Sequence, residues 1–335
     1  MARSRVVALF AALALAVAVP ASVLAQKDDK KRSKEEQREI EQLVKVVDAA
    51  MAGEAPAASD ITMELDPYFL KSQDQRTFVP FVLTFQNAPA ANVAMYVRVV
   101  DMAAWEAAKD KKKFEYPWDD IHFIDQAALK DGRLNRVFMA PAGTYDVFVV
   151  MKERLPEKAP KNAVAKMGML KTQVTVPDFW SGELQTSSVI ATDNVTMLTA
   201  PIGQDEARER PFVFGAQELV PATDMNFKKN QELSIFFQVY NAGLDSAGKP
   251  NLVMEYNFHR TENGEEKFFN KTNPQNINAS NLPPQFDPSK FPVPGGITVP
   301  LATFPVGEFR LEIKITDKAA GKELTKNVNF TVEAS

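Results

Sequence analysis

The residues with the most chemical potential lie in one short segment, Trp118-Asp119-Asp120-Ile121-His122-Phe123. Two carboxylates and an imidazole beside a tryptophan suit a metal ion, a sugar or a cationic substrate. Strand alternation, however, places Asp120 and His122 on one face and the neighbouring apolar residues on the other. No second group of His, Asp or Glu has metal-ligand spacing with this segment, so we expect no metal and no other cofactor. A metal-assisted hydrolase using Asp119, Asp120 and His122 is the least favoured of three functional hypotheses.

Other patterns that carry catalysis are missing from the sequence. There is no cysteine, and no Gly-x-Ser-x-Gly motif that would present a nucleophilic serine. Phosphate-binding loops of the Walker or dinucleotide type are also missing. The second of the two histidines, His259, alternates with Glu255 and Asn257, which is typical of the solvent face of a strand. The sequence therefore favours a non-catalytic protein.

Two long insertions between predicted strands are candidate binding surfaces. Residues 102–131 contain Trp105 and Trp118, and exposed rings there would suit a glycan, which is the second functional hypothesis. Long loops on a rigid scaffold commonly carry binding, but an ordered cover over a sheet edge fits residues 102–131 equally well. Residues 271–296 contain six prolines. Prolines lower the entropy lost by an extended lid, so a cover is favoured there.

The charge balance excludes some partners. The formal net charge is −4, whereas nucleic-acid phosphates require a basic surface. The lysines and arginines of residues 27–38 alternate with acids, so they form no dense basic patch for anionic lipids. We therefore expect neither nucleic acid nor a membrane surface as the partner.

The N-terminus has the pattern of a secretory signal. Arg3 and Arg5 precede an unbroken apolar run over residues 6–19, and Val23-Leu24-Ala25 supplies a small-residue cleavage site. The run is shorter than the roughly 20 residues of a membrane span. We therefore predict a cleaved signal peptide and no transmembrane span afterwards. The lack of cysteine is more typical of a bacterial envelope protein than of a small animal secreted domain, so we predict a periplasmic or extracellular bacterial protein.

A helix is predicted after the charged segment. Ser33 and Glu36 form a capping box, in which each side chain satisfies a backbone N–H at the helix start. An apolar stripe follows at helical spacing, comprising Ile40, Leu43, Val44, Val47 and Met51. The stripe would either dock a partner through Leu43 and Val47 or pack onto the following domain, and the second interpretation is favoured.

Beyond residue 60 the apolar period changes from helical to alternating. Short strands with turn signals between them, and no long helices, are typical of β-sandwiches. The predicted strands cover residues 61–70, 78–86, 92–101, 133–140, 144–153, 170–176, 183–191, 212–219, 232–240, 252–259, 265–270, 308–316 and 325–332.

Two sequence blocks recur in the same order. Residues 141–151 align with residues 305–315, because in both a Pro-x-Gly turn leads an aromatic residue into an alternating strand. Residues 81–88 resemble residues 235–242. The order of the blocks predicts a duplicated domain.

Family resemblances follow from these blocks. Gly143-x-Tyr145-x-Val147 resembles the corner before a strand of immunoglobulin-like domains, where a tyrosine hydroxyl bonds back to the backbone. Residues 184–191, Pro221-Ala-Thr-Asp224 and residues 236–241 resemble the sandwich module of bacterial secreted proteins that carry a GWxTD domain, and of related envelope proteins. The resemblance covers residues 183–332, and the GWxTD motif itself is missing. It implies a second sandwich and no known activity.

The sequence thus predicts an all-β fold of two tandem immunoglobulin-like or fibronectin-III-like β-sandwich domains. The predicted parts are a signal peptide (1–25), a charged segment with an amphipathic helix (26–58), a first sandwich (59–178) and a second sandwich (179–335). The leading functional hypothesis is a non-catalytic exported protein that binds or scaffolds another protein in the cell envelope. Its contact candidates are the helix and the long loops.

Overall fold

The computed structural model describes residues 32–54, 60–72, 74–129, 131–156, 160 and 162–335. The predicted signal peptide lies outside these residues. Every helix in the described part is too short or too polar to span a lipid bilayer.

The fold is all-β, in two tandem immunoglobulin-like sandwiches preceded by an amphipathic helix, which confirms the predicted fold class. The helices are α1 (Lys34–Met51), α2 (Met102–Ala107) and α3 (Gln204–Ala207). The strands of the first half are β1 (Met63–Pro67), β2 (Leu70–Lys71), β3 (Thr77–Phe85), β4 (Val93–Val100), β5 (Trp118–Ile124), β6 (Arg133–Ala140), β7 (Gly143–Glu153) and β8 (Met167–Val176). Those of the second half are β9 (Gln185–Thr186), β10 (Ile190–Thr192), β11 (Val195–Met197), β12 (Val213–Phe214), β13 (Gln217–Leu219), β14 (Asn226–Lys228), β15 (Glu232–Tyr240), β16 (Leu252–Glu262), β17 (Glu265–Lys271), β18 (Gln275–Ile277), β19 (Val293–Pro300), β20 (Gly307–Asp317) and β21 (Lys322–Glu333).

The chain divides into two compact units. The first ends at Asp178 and also includes Gln204–Pro211, so that a short piece from later in the sequence belongs to the first sandwich. The second comprises Phe179–Gly203 and Phe212–Ser335.

The first sandwich consists of two antiparallel sheets. In one, β3 pairs with β1 and β2 on one side and with β6 on the other. The other has the strand order β5-β4-β7-β8. Strands β5 and β6 are therefore each at an edge of their sheet.

The second sandwich repeats this pairing pattern. Strand β15 lies between β10 and β19, as β3 lies between β1 and β6. The facing sheet has the order β14-β21-β20-β16-β17, in which β14 and β21 are parallel. A separate small sheet has the order β11-β13-β12.

Helix α1 forms as the sequence predicts. Ser33 Oγ accepts from the Glu36 N–H at 3.1 Å, and the Glu36 carboxylate accepts from the Ser33 N–H at 2.9 Å. The helix ends before Gly53, whose φ of +83° suits the left-handed conformation common after a helix. Leu43 and Val47 have zero exposure and pack in one cluster with Phe148 and Val150 of β7.

Helix α1 explains why β4 is buried at every residue. One face of β4 lines the sandwich interior, and the other lies in the α1 cluster through Ala94, Tyr96 and Val100. Each large apolar side chain removed from water contributes about 1.5–3 kcal/mol to stability. The helix therefore completes the core of the first sandwich, and the favoured interpretation that it packs onto the following domain is confirmed.

The tyrosine corner is present in the first sandwich. Tyr145 donates from its hydroxyl to the carbonyl oxygen of Pro141 at 3.1 Å. A Cβ on Gly143 would lie 3.0 Å from that hydroxyl, so glycine keeps the turn open for the bond. The second sandwich has Phe309 instead, which stacks on Phe330 with ring centroids 5.4 Å apart.

Some predicted elements differ in the structure. The predicted strand over residues 61–70 is divided into β1 and β2, and that over residues 183–191 into β9 and β10. The insertion over residues 102–131 contains α2 and β5, and β5 adds a strand to the sheet at β4. The segment over residues 271–296 contains β18 and the start of β19, and it buries Leu282 and Phe286 in the second core.

Candidate functional site

The strand β5 divides the predicted reactive residues between two environments. Its partners on β4 across the register are Val99 for Trp118, Val97 for Asp120 and Met95 for His122. These alternate residues share one face of the strand, which is the face toward the sandwich interior. Asp119 points to the opposite face, where its carboxylate accepts from the Tyr96 hydroxyl at 3.3 Å.

This division separates the three residues of the hydrolase hypothesis. The structure brings Asp120 and His122 together, with His122 Nε2 at 3.6 Å from Asp120 Oδ2. It does not bring Asp119 to them, because adjacent strand residues point in opposite directions. Among the described residues, no three His, Asp or Glu side chains are grouped closely enough to hold a metal ion.

The residue that sequence reasoning missed is Arg136. It lies on β6, opposite Phe81 of β3, and is only 5% exposed. Its Nη1 donates to the Asn135 carbonyl oxygen at 2.7 Å, and it makes no ion pair within the described part of the chain. A signal was present in the sequence, because Arg136 alternates with Leu134 and Phe138 and so occupies an inward position of its strand.

We call Trp118, Asp120, His122 and Arg136 the edge cluster, since they lie on the edge strands β5 and β6 of the two facing sheets. Strands β5 and β6 contact each other. The charge of Arg136 contributes to lowering the pKa of His122, and the charge of Asp120 acts to raise the pKa of Arg136. Arg208, in the segment Gln204–Pro211, also acts on Asp120 and His122.

The electrostatics of the edge cluster are set by burial. Burial lowers the pKa of His122 from its usual 6.5 to about 3, and nearby arginines reinforce the shift, so the imidazole is neutral near pH 7. Burial also raises the pKa of the Asp120 carboxyl and lowers that of the Arg136 guanidinium. The His122–Asp120 contact is therefore not an ion pair at neutral pH.

Three buried nitrogens of the edge cluster have no hydrogen-bond partner among the described residues: Trp118 Nε1, His122 Nε2 and Arg136 Nε. Buried polar atoms are nearly always bonded in native proteins, so three together need an explanation. The edge cluster thus offers three unpartnered donors on the inward faces of β5 and β6.

The tryptophans are not open sugar platforms. Trp118 is only 9% exposed, which corrects the expectation of an exposed ring. Trp105 is partly buried in the α1 cluster, and Lys111 Nζ lies 3.6 Å from its ring centroid. A sugar stacking on Trp105 would have to displace this cation–π contact.

The helix residues predicted as a docking surface are inside the molecule. Leu43 and Val47 have zero exposure, so the surface predicted for a partner is part of the core instead. Ionic contacts hold the helix in place, because Asp48 Oδ1 lies 2.5 Å from Arg98 Nη1 and Glu39 Oε2 lies 2.9 Å from Arg154 Nε. Burial opposes the Arg98 charge, but Tyr96 and Asp48 outweigh it and raise the pKa of that guanidinium.

A different surface carries exposed apolar side chains. Strand β11 pairs with β13 alone, and its other side has no strand partner in the described chain. Val195 is 38% exposed and Met197 is 59% exposed. Two exposed apolar residues therefore lie on a sheet edge, a combination that the sequence pattern did not reveal.

No protein-family model matches this sequence, and no curated protein matches it. Among solved structures, a trypsin-activated α2-macroglobulin from Escherichia coli has a TM-score of 0.23 and 10% identity, covering 82% of this chain and 17% of that chain. A Salmonella α2-macroglobulin reacted with methylamine has a TM-score of 0.20 and 11% identity, covering 83% of this chain and 17% of that chain. The chain thus spans about a sixth of these proteins' length, and we draw no conclusion from likenesses at such TM-scores.

Proposed function

We propose that this chain is a non-catalytic exported protein that binds another protein in the bacterial cell envelope, and that β11 is the contact. The observation that carries the proposal is the free edge of β11 with its exposed Val195 and Met197. The occupant we propose is an extended segment of a partner protein with apolar side chains at alternate positions. Such a segment would add one strand to the sheet.

The backbone geometry supports this mode of binding. Leu198 N–H donates to the Ala216 carbonyl at 2.7 Å, and Val220 N–H donates to the Asn194 carbonyl at 3.1 Å. Residues 194 and 198 therefore direct their backbone groups toward β13. By antiparallel alternation, Val195 and Met197 direct theirs toward the free side, where a partner strand would find them.

The side chains supply the specificity of the proposed contact. Val195 and Met197 are two residues apart and share one face of β11. A partner strand would bury both against its own apolar side chains, while its backbone bonds to the free edge. Methionine adapts readily to different apolar neighbours, so Met197 suits this use.

A substitution pair tests the proposal. Met197→Pro removes an outward N–H without removing a bond to β13, because proline is tolerated at a free edge. Leu244→Pro is the control, since Leu244 is 51% exposed and lies outside the β11-β13-β12 sheet. A photo-crosslinking residue at position 197 should capture one defined envelope protein, and Met197→Pro should weaken its binding about tenfold or more. Equal crosslinking from positions 197 and 244, or equal affinity of the two variants, would refute the contact.

We also propose that the two sandwiches arose by duplication. The matched blocks of the sequence fall on β7 and β20, and on β3 and β15. Strands β4, β7 and β8 are ordered as β16, β20 and β21 are. Equivalent sequence on equivalent strands supports a common origin.

A further inference from the structure

We propose that the edge cluster is a binding site for a small oxyanion, such as phosphate, sulfate or a carboxylate group. The edge cluster belongs to the first sandwich, so this proposal does not depend on the partner contact proposed for β11. Its donors are Trp118 Nε1, Arg136 Nε and the imidazole of His122, all buried and without a partner in the described part of the chain. Nothing in the sequence pattern assigns them a common ligand.

The burial of Arg136 is the first reason. Its side chain is about nineteen-twentieths buried at 5% exposure, yet no acid lies within ion-pair distance of it among the described residues. The charges of Glu209 and Asp120 act to raise the pKa of Arg136, but neither carboxylate is within ion-pair distance of it. A buried cation without a contacting anion is costly, since it has lost its water without gaining a partner. An anion held at Arg136 Nε would remove that cost.

The chemistry of the three donors is the second reason. The indole of Trp118 and the Nε of Arg136 can only donate. Neutral His122 provides a third donor when its proton is on Nε2. A water molecule accepts about two hydrogen bonds and supplies no charge, whereas an oxyanion accepts several and balances the guanidinium. The donor set therefore fits an anion better than a water.

Access is provided by the position of the cluster. Strands β5 and β6 are edge strands of the two sheets, so the polar groups lie at the side of the sandwich and not at its centre. Asp120 has 25% of its side chain exposed and His122 has 15%. A small anion can reach the donors from this side without separating the sheets.

The test uses the indole N–H signals of the full-length chain, of which there are three because the chain has three tryptophans. The protein is labelled with ¹⁵N, and sodium phosphate, sulfate or acetate is added at constant ionic strength with chloride as the reference salt. We expect the Trp118 signal, assigned by its loss in Trp118→Phe, to shift saturably while those of Trp105 and Trp180 stay in place. A response to phosphate and sulfate indicates a tetrahedral oxyanion, and a response to acetate indicates a carboxylate.

Two variants and one control decide the assignment. Trp118→Phe keeps the ring but loses one donor, so the affinity measured by calorimetry should fall about tenfold. Arg136→Gln should abolish saturable binding, and Arg76→Gln should leave it unchanged because Arg76 is ion-paired to Asp74 elsewhere on the same sandwich. If Arg136→Gln does not fold, Trp118→Phe alone decides. No saturable shift of the Trp118 signal with any of the three anions, or unchanged affinity in Trp118→Phe, would overturn the proposal.

Discussion

The same sheet face has opposite environments in the two sandwiches. In the first, Phe148 and Val150 of β7 have zero exposure beneath α1. In the second, the aligned residues of β20 are Glu312 and Lys314, which lie partly in solvent, and Lys314 Nζ is 3.0 Å from the Glu323 carboxylate. The two corresponding sheets thus differ, one having a covered apolar face and the other an uncovered charged face.

The strands record this difference in their burial patterns. All eight residues of β4 are buried, whereas the first seven residues of β16 alternate between buried and partly exposed. A strand with two apolar faces requires a cover on each side. The first sandwich meets this requirement with a helix from outside its sheets, and the second has no such need because its outer face is polar.

The corners of the two sandwiches differ as well. Tyr145 fixes the first corner by a hydrogen bond to Pro141. Phe309 has no hydroxyl and lies among aromatic rings, with centroid distances of 5.2 Å to Phe304 and 5.4 Å to Phe269. One corner is therefore held by a polar bond and the other by ring packing.

Exchanging one residue between the faces should have the largest effect. Val150→Lys places the charge of the second sandwich beneath α1, and we expect a loss of about 4 kcal/mol or more in the free energy of unfolding, because a buried lysine lacks an acid there. Urea denaturation of the first sandwich measures it. The reverse change, Lys314→Val, should leave stability unaltered within error. Equal effects of the two changes would contradict the comparison.

Acidification should destabilise the first sandwich through His122. The unfolded chain takes up a proton on this histidine below about pH 6.5, whereas the folded chain does so only near pH 3, so stability falls as the pH drops through that window. Between about pH 7 and about pH 4.5 the loss from this residue is about 3 kcal/mol. Hydrogen exchange of the β4 amides, with the β16 amides of the second sandwich as the internal reference, locates the effect. The measurement is made on the natural chain and on His122→Gln. The same acid sensitivity of β4 in both proteins would count against a neutral buried His122.

The ionic contact of α1 should have a smaller effect. Asp48→Asn leaves Arg98, which is 4% exposed, without its carboxylate partner. Because Asp48 itself is more than half exposed, we expect a loss of about 2 kcal/mol, below the value for a fully buried pair. Faster protease cleavage within α1 would report the loosened helix. Glu41→Gln on the exposed side of the helix is the control, and equal cleavage of both variants would show that the pair does not hold α1.

The corner bond should have the smallest effect. Tyr145→Phe gives the first sandwich the residue type of the second but none of its surrounding rings. The loss of one hydrogen bond is expected to lower the unfolding free energy of the first sandwich by about 1 kcal/mol, with no change in the second. Separate unfolding transitions of the two sandwiches, followed by hydrogen exchange, provide the measurement. An unchanged first transition would mean that the corner bond adds nothing.

Local patterns were sufficient to predict much of the fold. The predicted bounds of β6 and β15 coincide with those in the structure, and the capping box of α1 forms as expected. Strand β5 was missing from the predicted strands because two of its inward residues, Asp120 and His122, are polar, which hides the apolar alternation. Strand β19 was missed because it contains Pro294 and two glycines, which a sheet tolerates at an edge.

The candidate site could be predicted only in part. The alternation within residues 118–123 correctly grouped Asp120 with His122. The inward position of Arg136 has a local signal in its alternation with Leu134 and Phe138. Its grouping with Asp120 and His122 has none, because it depends on which strands of the two sheets face each other. The burial of Trp118 likewise follows from the packing of β5, since a tryptophan beside two acids resembles a surface residue in sequence.

The contacts of α1 have a consequence for the order of folding. Gln42 and Glu39 of the helix bond to Lys152 and Arg154, which are 110 and 115 residues later in the chain. The ribosome therefore completes the helix long before it completes the strand that receives it. The apolar stripe of α1 therefore stays unpacked while most of the first sandwich is synthesised. Closing the long loop between α1 and β7 costs conformational entropy before the contacts between them form, so this step is expected late in folding. An element that is made early is thus expected to be among the last to settle.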